Sequence, residues 1–432
     1  MSGSDEPARP LFATPGSDLV PVDRHLAECL DLVAPLPPIA VPLADALGCV
    51  LAEDVAAGFP LPAFDNSGMD GYAVRAVDVA AASESSPVVL PVTGDVFAGP
   101  GIPGRLAPGT AMRIMTGAPV PGGADAVVPV EGTDGGLAEV RVRRAVREGA
   151  SVRRTGDDVD AGDTVLRSGV RLTPRQLALL AAVGRSQAVV HPRPRVVVLS
   201  TGAEVVEPGQ PLLPGQVYDA NGIGLTAAAA ELGARAVRVG IVDDDPRAVR
   251  AAVEDQLGAT DVLVTSGGVS AGAADVVKAV LAGLGEVTFR RVAVNPGMPQ
   301  GLGVLGPGRV PVFCLPGNPV SAQVSFEVFV RPALRRILGE SRLHRRRVPA
   351  RALRGWTSPA GKRQYARVLL MRDQAVAASS TTPYVAEPAS GQGSHLAAQL
   401  AHANALAVVP EAVTEVAAGD VLDCLVLERM RR

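Results

Sequence analysis

The chain has 432 residues, which is too many for one hydrophobic core and predicts three or four domains. Its formal net charge of −3 argues against a nucleic-acid partner, because binding phosphates needs a basic face. Widely spaced cysteines, the lack of a recognisable signal peptide and the lack of a membrane-length apolar run predict a reduced, cytoplasmic protein without membrane contact.

The first half of the chain combines two helical segments with a long β-rich segment. Residues 1–17 have the composition of a disordered tail, and apolar residues at helical spacing then predict a helix over 21–34. Residues 58–154 consist of short alternating segments between Gly and Pro turns, which predicts an inserted β-rich domain. A Thr start signal and a Gly stop signal predict a helix over 172–184, which would complete a discontinuous domain with the first helix.

Residues 190–340 alternate between Val/Leu-rich strands and helices. This order predicts a doubly wound, mostly parallel sheet with helices on both faces. An Arg-rich linker follows, and the residues after it are predicted to form a small β-rich domain. The fold class is therefore α/β and multidomain. The predicted domains are 18–57 with 155–189, then 58–154, 190–340 and 341–432.

Small polar loops follow the predicted strands of the doubly wound domain. They read "STGAE", "DDDPR", "SGGVSAGAAD", "NPGMP" and "PGNP". Parallel strands place such loops at one edge of the sheet, so together they predict a ligand pocket. In the last loop, Asn318 is a good helix N-cap and Pro319 suits the first turn, so the exposed N–H groups could receive an anion. An ordinary strand-to-helix connection is the alternative.

Several acidic residues in these loops have structural interpretations as well. Asp275 could be a helix N-cap. The run of three aspartates that includes Asp244 could serve only to stabilise the start of a helix. Asp70 and Thr116 could belong to simple turns. The stretch "DDVDAGD" lacks the Gly and terminal Glu of a calcium-binding loop. The residues alone leave these alternatives open.

Eight motifs occur in a fixed order along the chain. They are "DNSGMDGYAVR", "RIMTGAPVPGGADAVVPVE", "RRTGDDVDAGDTVL", "LSTGAEVVEPGQPL", "YDANG", "SGGVSAGAADVV", "LPGNPVSA" and "GQGSHL". Over nearly its whole length the chain resembles the molybdopterin molybdenumtransferase family, which includes MoeA-type proteins and the C-terminal domain of gephyrin. The resemblance implies a homodimer that inserts molybdate into adenylylated molybdopterin, releases AMP and uses Mg²⁺. Molybdopterin adenylyltransferase and molybdoenzyme apoproteins would be its other partners.

The resemblance also assigns roles to individual residues, in a cleft shared by two subunits. The residues that it implies as catalytic are Asp70, Thr116, Glu204, Asp244 and Asp275, with Glu204 and Asp275 also binding Mg²⁺. The residues that it implies as substrate-binding are Asp158, Ser266, Gly267, Gly268, Ser270, Arg291, Pro316, Gly317, Asn318, Arg367 and Ser394. For Arg367 and Ser394 the implied ligand is an oxyanion, with molybdate the natural candidate.

The chain departs from the family pattern at three positions. Asn295 and Met298 replace the lysines around the family's "PGKP", and Ala203 replaces the first acidic residue of "STGDE". Each charge-assisted contact to a dianion is worth about 1.5–3 kcal/mol, so losing two lysines predicts weakened transferase activity. Two alternatives follow: a pterin-binding scaffold paralogue without turnover, or a molybdopterin adenylyltransferase. The domains at 58–154 and 341–432 argue against the second.

Overall fold

The computed structural model describes residues 19–269, 276–373 and 382–428. The helices are α1 (Val22–Asp31), α2 (Pro174–Ala182), α3 (Ala220–Glu231), α4 (Pro246–Leu257), α5 (Val276–Leu284), α6 (Pro319–Ser325), α7 (Arg331–Ile337) and α8 (Ala397–His402). A π-helical turn, Phe326–Val330, joins α6 to α7.

The strands of the first half are β1 (Ile39–Pro42), β2 (Val50–Leu51), β3 (Val55–Ala56), β4 (Asn66–Ser67), β5 (Gly71–Val74), β6 (Val88–Val96), β7 (Ala111–Ile114), β8 (Ala126–Pro129), β9 (Glu139–Val142), β10 (Val152–Arg153), β11 (Thr164–Leu166) and β12 (Gln187–His191). Those of the middle are β13 (Arg195–Thr201), β14 (Val205–Val206), β15 (Val217–Tyr218), β16 (Arg235–Val242), β17 (Val262–Ser266), β18 (Gly285–Arg291), β19 (Val294–Asn295), β20 (Pro299–Leu305) and β21 (Val310–Leu315). The last are β22 (Arg347–Ala352), β23 (Trp356–Thr357), β24 (Arg363–Arg372), β25 (Tyr384–Pro388), β26 (Ala405–Val409), β27 (Glu415–Val416) and β28 (Val421–Val426).

The described residues form two compact units. The first contains residues up to Ile39, Gly48–Ala52 and the described residues from Val190 onwards, and the second contains Ala40–Leu47 and Glu53–Val189. Helix α1 belongs to the first unit and helix α2 to the second. The finer division into domains stays a prediction, and the proposed tail at 1–17 lies outside the described residues.

The second unit is built mainly from strands, as its turn-rich sequence predicts. Its largest sheet has the order β8-β5-β7-β6-β9. Buried side chains on this sheet, among them Tyr72, Val128 and Val140, form its core. Helix α2 begins at the predicted threonine, where the Thr173 backbone N–H donates to Gln176 Oε1 at 3.2 Å and forms part of a capping box.

The first unit contains the doubly wound sheet, with strand order β16-β13-β17-β21-β20-β18. Strands β16, β13, β17 and β21 are parallel. Val196 and Val198 of β13 face one buried core together with α3, while Val197 and Leu199 face another with α4 and α5. Because side chains alternate along a strand, this continuous apolar run fills cores on both faces of the sheet. The prediction of a doubly wound, mostly parallel sheet is confirmed.

Strand β20 is an element that the sequence interpretation misses. It pairs antiparallel with both β18 and β21 and so makes the sheet mixed at one edge. Its glycines serve close packing between strands. A Cβ on Gly303 would lie 2.0 Å from the Glu286 carbonyl oxygen, so only glycine fits there.

The end of the chain forms the predicted small β domain. Its sheet has the order β19-β24-β25-β22-β28-β26, and an additional β24–β26 pairing closes it. Small buried side chains, including Ala366, Ala386 and Ala407, fill its interior. Among the residues that the structure describes, no helix combines the length and apolar composition needed to cross a bilayer.

Candidate functional site

A pocket of the first unit lies at the carboxyl edge of the doubly wound sheet. It has a volume of about 820 Å³ and is lined by the loops that follow β13, β16, β17 and β21. The predicted site residues that line it are Glu204, Asp244, Ser266, Gly267, Gly268, Pro316, Gly317 and Asn318. The strand-end rule therefore locates this pocket correctly from the sequence.

A glycine turn after β17 forms one wall of the pocket. Gly267 and Gly268 have φ values of +95° and +66°, which residues with a Cβ rarely adopt. A Cβ on Gly267 would also lie 2.6 Å from the Thr201 carbonyl oxygen. The turn can therefore bring its backbone close to a ligand only because both residues are glycine.

Two carboxylates lie at the loop after β13, one of them within the loop itself. The Ala203 backbone N–H donates to Asp244 Oδ2 at 3.2 Å. A Cβ on Gly202 would lie 2.8 Å from Glu204 Oε2, so the Glu204 carboxylate folds back over this glycine. Both carboxylates are exposed and line the pocket. Hard oxygen donors of this kind suit a magnesium ion and the phosphates that it accompanies.

Residues from the motif "YDANG" complete the pocket, although the sequence interpretation selects none of them. Asn221 Nδ2 donates to Ser266 Oγ at 2.8 Å and to the Gly317 carbonyl oxygen at 2.6 Å. Asn221 therefore connects the loops after β17 and β21. Its position two residues after the Asp N-cap of α3, on the same sheet edge, is the signal that could have found it.

Asp219 holds the residues of this motif in place. It is 2% exposed and accepts hydrogen bonds from Ser200 Oγ, the Gly222 backbone N–H and Arg238 Nη1, at 2.9, 2.7 and 2.7 Å. The side chain thus caps α3 and forms an ion pair with Arg238. A buried carboxylate with three donors fixes the backbone that carries Tyr218 and Asn221.

The start of helix α6 differs from the sequence prediction. Asn318 is the N-cap residue, but its side chain does not accept a hydrogen bond from the helix. It donates instead from Nδ2 to Ser394 Oγ at 3.1 Å, and the Val320 backbone N–H donates to the Ser394 carbonyl oxygen at 3.2 Å. The loop around Ser394 thus accepts a hydrogen bond from a helix N–H that the sequence analysis predicted to be available to an anion.

Arg367 lies behind that loop rather than in the pocket. It is 1% exposed, and its guanidinium donates to the carbonyl oxygens of Gly391 and Gly393 at 2.7 and 3.0 Å. Burial lowers its pKa, and Nε is buried without a hydrogen-bond partner among the described residues. The structure therefore shows Arg367 holding the loop that carries Ser394, and its contact with an oxyanion stays a prediction.

Two further predicted residues lie together in the second unit. Thr116 donates to Asp70 Oδ1 from its backbone N–H at 2.6 Å and from Oγ1 at 2.8 Å. These two hydrogen bonds hold the pKa of the Asp70 carboxyl below its usual range. Asp158 lines another depression of the second unit, together with Asp163 and Arg167. The structure thus places Asp70 and Thr116 in contact, and their roles remain predictions.

Of the remaining predicted residues that the structure describes, Arg291 does not line the pocket. Arg291 is exposed and donates to Met298 Sδ at 3.6 Å, while Asn295 pairs with Gln364 between strands β19 and β24. Of the "NPGMP" loop, Pro299 is the residue that reaches the pocket. Ser270 and Asp275 lie outside the described residues.

Comparisons with known proteins agree with the resemblance over the whole described architecture. Sequence models match three parts of the chain: the MoeA N-terminal region (domains I and II) over 20–184, a probable molybdopterin-binding domain over 197–336, and the MoeA C-terminal region (domain IV) over 349–427. Molybdopterin molybdenumtransferase 1 of Mycobacterium tuberculosis is 45% identical over 409 residues, covering 90% of this chain and 95% of the relative. The chain belongs to the molybdopterin molybdenumtransferase family.

Other members of the family give the same result. Molybdopterin molybdenumtransferase 2 of Mycobacterium tuberculosis is 47% identical over 408 residues, covering 92% of this chain and 97% of the relative. A solved structure of the molybdopterin biosynthesis MoeA protein from Pyrococcus horikosii has a TM-score of 0.78 at 34% identity, covering 95% of this chain and 100% of that one. The chain matches family models on both sides of the pterin-binding domain. This distinguishes it from a protein that consists of a pterin-binding domain alone, as the sequence analysis predicts.

Proposed function

We propose that this protein inserts molybdate into the dithiolene of adenylylated molybdopterin and releases AMP. The observation that carries the proposal is the pocket in which the Gly267–Gly268 turn, the Pro316–Asn318 turn and two carboxylates meet. Glycine turns at the carboxyl ends of parallel strands suit phosphate groups, because backbone N–H groups can approach them. An adenylylated pterin carries such a phosphate bridge between two flat rings.

The charge of the pocket supports a role for Mg²⁺. The described residues that line it include the exposed carboxylates of Glu204 and Asp244 but no Lys or Arg. A phosphate beside these carboxylates would be repelled unless a cation lay between them. Among the described residues no group of three or more His, Cys, Asp or Glu side chains could hold a metal ion by itself. Mg²⁺ commonly binds one or two carboxylates and completes its shell with water and phosphate oxygens, so this donor set fits it.

When bound, Mg²⁺ would polarise a phosphoryl oxygen and offset its charge. The protein's own residues hold the substrate around that position. The glycine turn lets the backbone approach the phosphates, and Asn221 fixes this turn relative to Gly317. Ser394, held by Asn318 on one side and by the Arg367-bound loop on the other, would orient molybdate.

We also propose that the protein works in the cytoplasm as a homodimer in which a second subunit supplies Asp70 and Thr116. Molybdopterin adenylyltransferase would deliver the substrate and molybdoenzyme apoproteins would receive the product. The support for the homodimer is the family's shared site and the exposed pair of Asp70 and Thr116. Light scattering at micromolar concentration tests it, and a monomer at that concentration would contradict the shared site.

The test of the proposed activity is an insertion assay with adenylylated molybdopterin, molybdate and Mg²⁺. Glu204→Gln and Asp244→Asn should each lower Mg²⁺-dependent AMP release about 10-fold or more, because each removes a charged contact. Glu254→Gln is the matched control, since Glu254 is a half-exposed carboxylate of α4 that pairs with Arg250. No AMP release from the wild-type protein, or equal activity in all variants, would contradict the proposal.

A second candidate function is pterin binding without turnover, and Asn295 and Met298 favour it. Both stand where the family carries lysines, so two positive charges are missing near Pro299 of the pocket. Binding of the adenylylated pterin without molybdate-dependent AMP release would support this scaffold function instead. Molybdate-dependent AMP release by the wild-type protein would exclude it.

A further inference from the structure

One wall of the pocket is apolar, in contrast to the polar turns around it. It consists of Val205 from β14 with Val217 and Tyr218 from β15. Val217 is 52% exposed and Tyr218 is 42% exposed. Large apolar side chains that stay uncovered inside a ligand pocket point to contact with an apolar part of the ligand.

Backbone and side-chain hydrogen bonds hold this wall in place. Strands β14 and β15 pair in parallel, with Val205 opposite Val217 and Val206 opposite Tyr218. The Tyr218 hydroxyl donates to the Gln210 carbonyl oxygen at 2.7 Å. Directly after Tyr218, the Asp219 backbone N–H donates to the Val206 carbonyl oxygen at 3.0 Å. The ring is therefore fixed before any ligand arrives, which lowers the entropy lost on binding.

The wall lies in the same pocket as the glycine turn that suits phosphate. A ligand with a phosphate group at Gly267 and a flat ring attached to it can use both parts of the pocket. Aromatic side chains bind such rings by stacking on their π faces. Glu204 adds an exposed carboxylate to the lining, which favours N–H donors over further anionic groups.

We propose that the ring of Tyr218 provides the stacking surface of a subsite for a bicyclic heteroaromatic ring of the substrate. This inference rests on the proposed function, in which the substrate carries two such rings, an adenine and a pterin. Both rings flank the phosphates, and the ring that occupies the subsite is decided by the binding experiment below.

The experiment measures three probes on the full-length protein by titration calorimetry: AMP with Mg²⁺, 6-carboxypterin, and pyrophosphate with Mg²⁺. The variants are Tyr218→Ala, Tyr218→Phe and Leu213→Ala. Leu213 is 66% exposed and lies in the same segment between β14 and β15, but it does not line the pocket. It controls for general effects of removing a large apolar side chain from this segment.

Tyr218→Ala should weaken the binding of one ring-bearing probe about 10-fold or more and leave pyrophosphate within about 3-fold. Loss for AMP alone places adenine on Tyr218, and loss for 6-carboxypterin alone places the pterin there. Tyr218→Phe keeps the ring and should stay within about 3-fold of wild type, as should Leu213→Ala. Equal unfolding midpoints would show that the variants are folded.

Two results would overturn the inference, and they are distinguishable. If all probes bind and Tyr218→Ala changes none of them, the subsite is wrong while the proposed function stands. If wild-type protein binds none of the three probes, the pocket does not take this substrate and both proposals fail together.

Discussion

Asn318 Nδ2 donates to Ser394 Oγ at 3.1 Å and so joins the doubly wound sheet to the loop of the C-terminal β domain. The Val320 N–H bond to the Ser394 carbonyl oxygen lies beside it, so this contact has a side-chain and a backbone component. The two domains of the first unit thus meet at the rim of the pocket.

We expect Ser394→Ala to lower the insertion rate by about 10-fold while changing the free energy of unfolding by less than about 1 kcal/mol. The backbone bond remains, so the loop keeps its position, but the hydroxyl and its bond to Asn318 are lost. Insertion kinetics and urea unfolding measure the two effects. Asn318→Ala combined with Ser394→Ala completes a double-mutant cycle, and additive effects would show that the pair is not coupled.

Gly267 and Gly317 offer a matched test of the glycine turn. Gly267→Ala should lower the free energy of unfolding by about 1–3 kcal/mol, because its φ is +95° and its Cβ would meet the Thr201 carbonyl oxygen. Gly317→Ala should cost less than about 1 kcal/mol, since its Cβ would lie at an ordinary 3.6 Å from Gly267 Cα. Denaturant titration decides this, and equal losses would refute the role assigned to the turn.

Asp219 and Asp245 are both N-caps, of α3 and α4, but their surroundings differ. Asp219→Asn should cost about 2–3 kcal/mol of stability, because it breaks the buried pair with Arg238. Asp245→Asn should cost less than about 0.5 kcal/mol, because Asp245 is exposed and Asn caps as well as Asp. Chemical unfolding of both variants would reveal whether burial separates them.

His25 should make the stability of the protein depend on pH. Burial, with a smaller contribution from Arg290, lowers the pKa of this side chain to about 4, from an ordinary value near 6.5. Between these values the unfolded chain binds a proton that the folded chain does not, so stability falls as pH falls, by about 3 kcal/mol in total.

The variant His25→Leu should remove most of this dependence between pH 6.5 and 4. His402→Leu is the control, because His402 is exposed on α8. Unfolding midpoints measured across this pH range test the assignment. A wild-type profile retained in His25→Leu would place the titrating group elsewhere.

The lysine-to-Asn and lysine-to-Met departures can be tested by restoring charge. Met298 adjoins the pocket residue Pro299, so Asn295→Lys with Met298→Lys should tighten molybdate binding. The gain should shrink with salt, because partly exposed charges are screened over about 8–10 Å. If turnover rises too, the native enzyme is a weakened transferase. Unchanged binding and turnover would mean that these side chains cannot reach the anion.

Much of this protein is determined by local sequence patterns. Continuous Val and Leu runs predict strands buried on both faces, and the strand-end rule then brings Glu204, Asp244, Gly267 and Gly317 into one pocket. These inferences work because strand polarity and side-chain alternation are fixed by the backbone. The start of α2 at Thr173 is local in the same sense, since its cap partner is three residues away.

Tertiary structure decides what depends on partners distant in sequence. Asn318 looks like a helix cap in sequence, yet it bonds to Ser394, 76 residues further along the chain. Strand β20 is not predicted from the sequence, and the carbonyl that requires Gly303 belongs to another strand. Tyr218 lines the ligand pocket on a strand that is held by pairing with β14, which lies earlier in the chain. In each case an interaction with neighbours in sequence competes with one between distant residues. The local interaction is weak, so packing and hydrogen bonding across the fold determine which of the two forms.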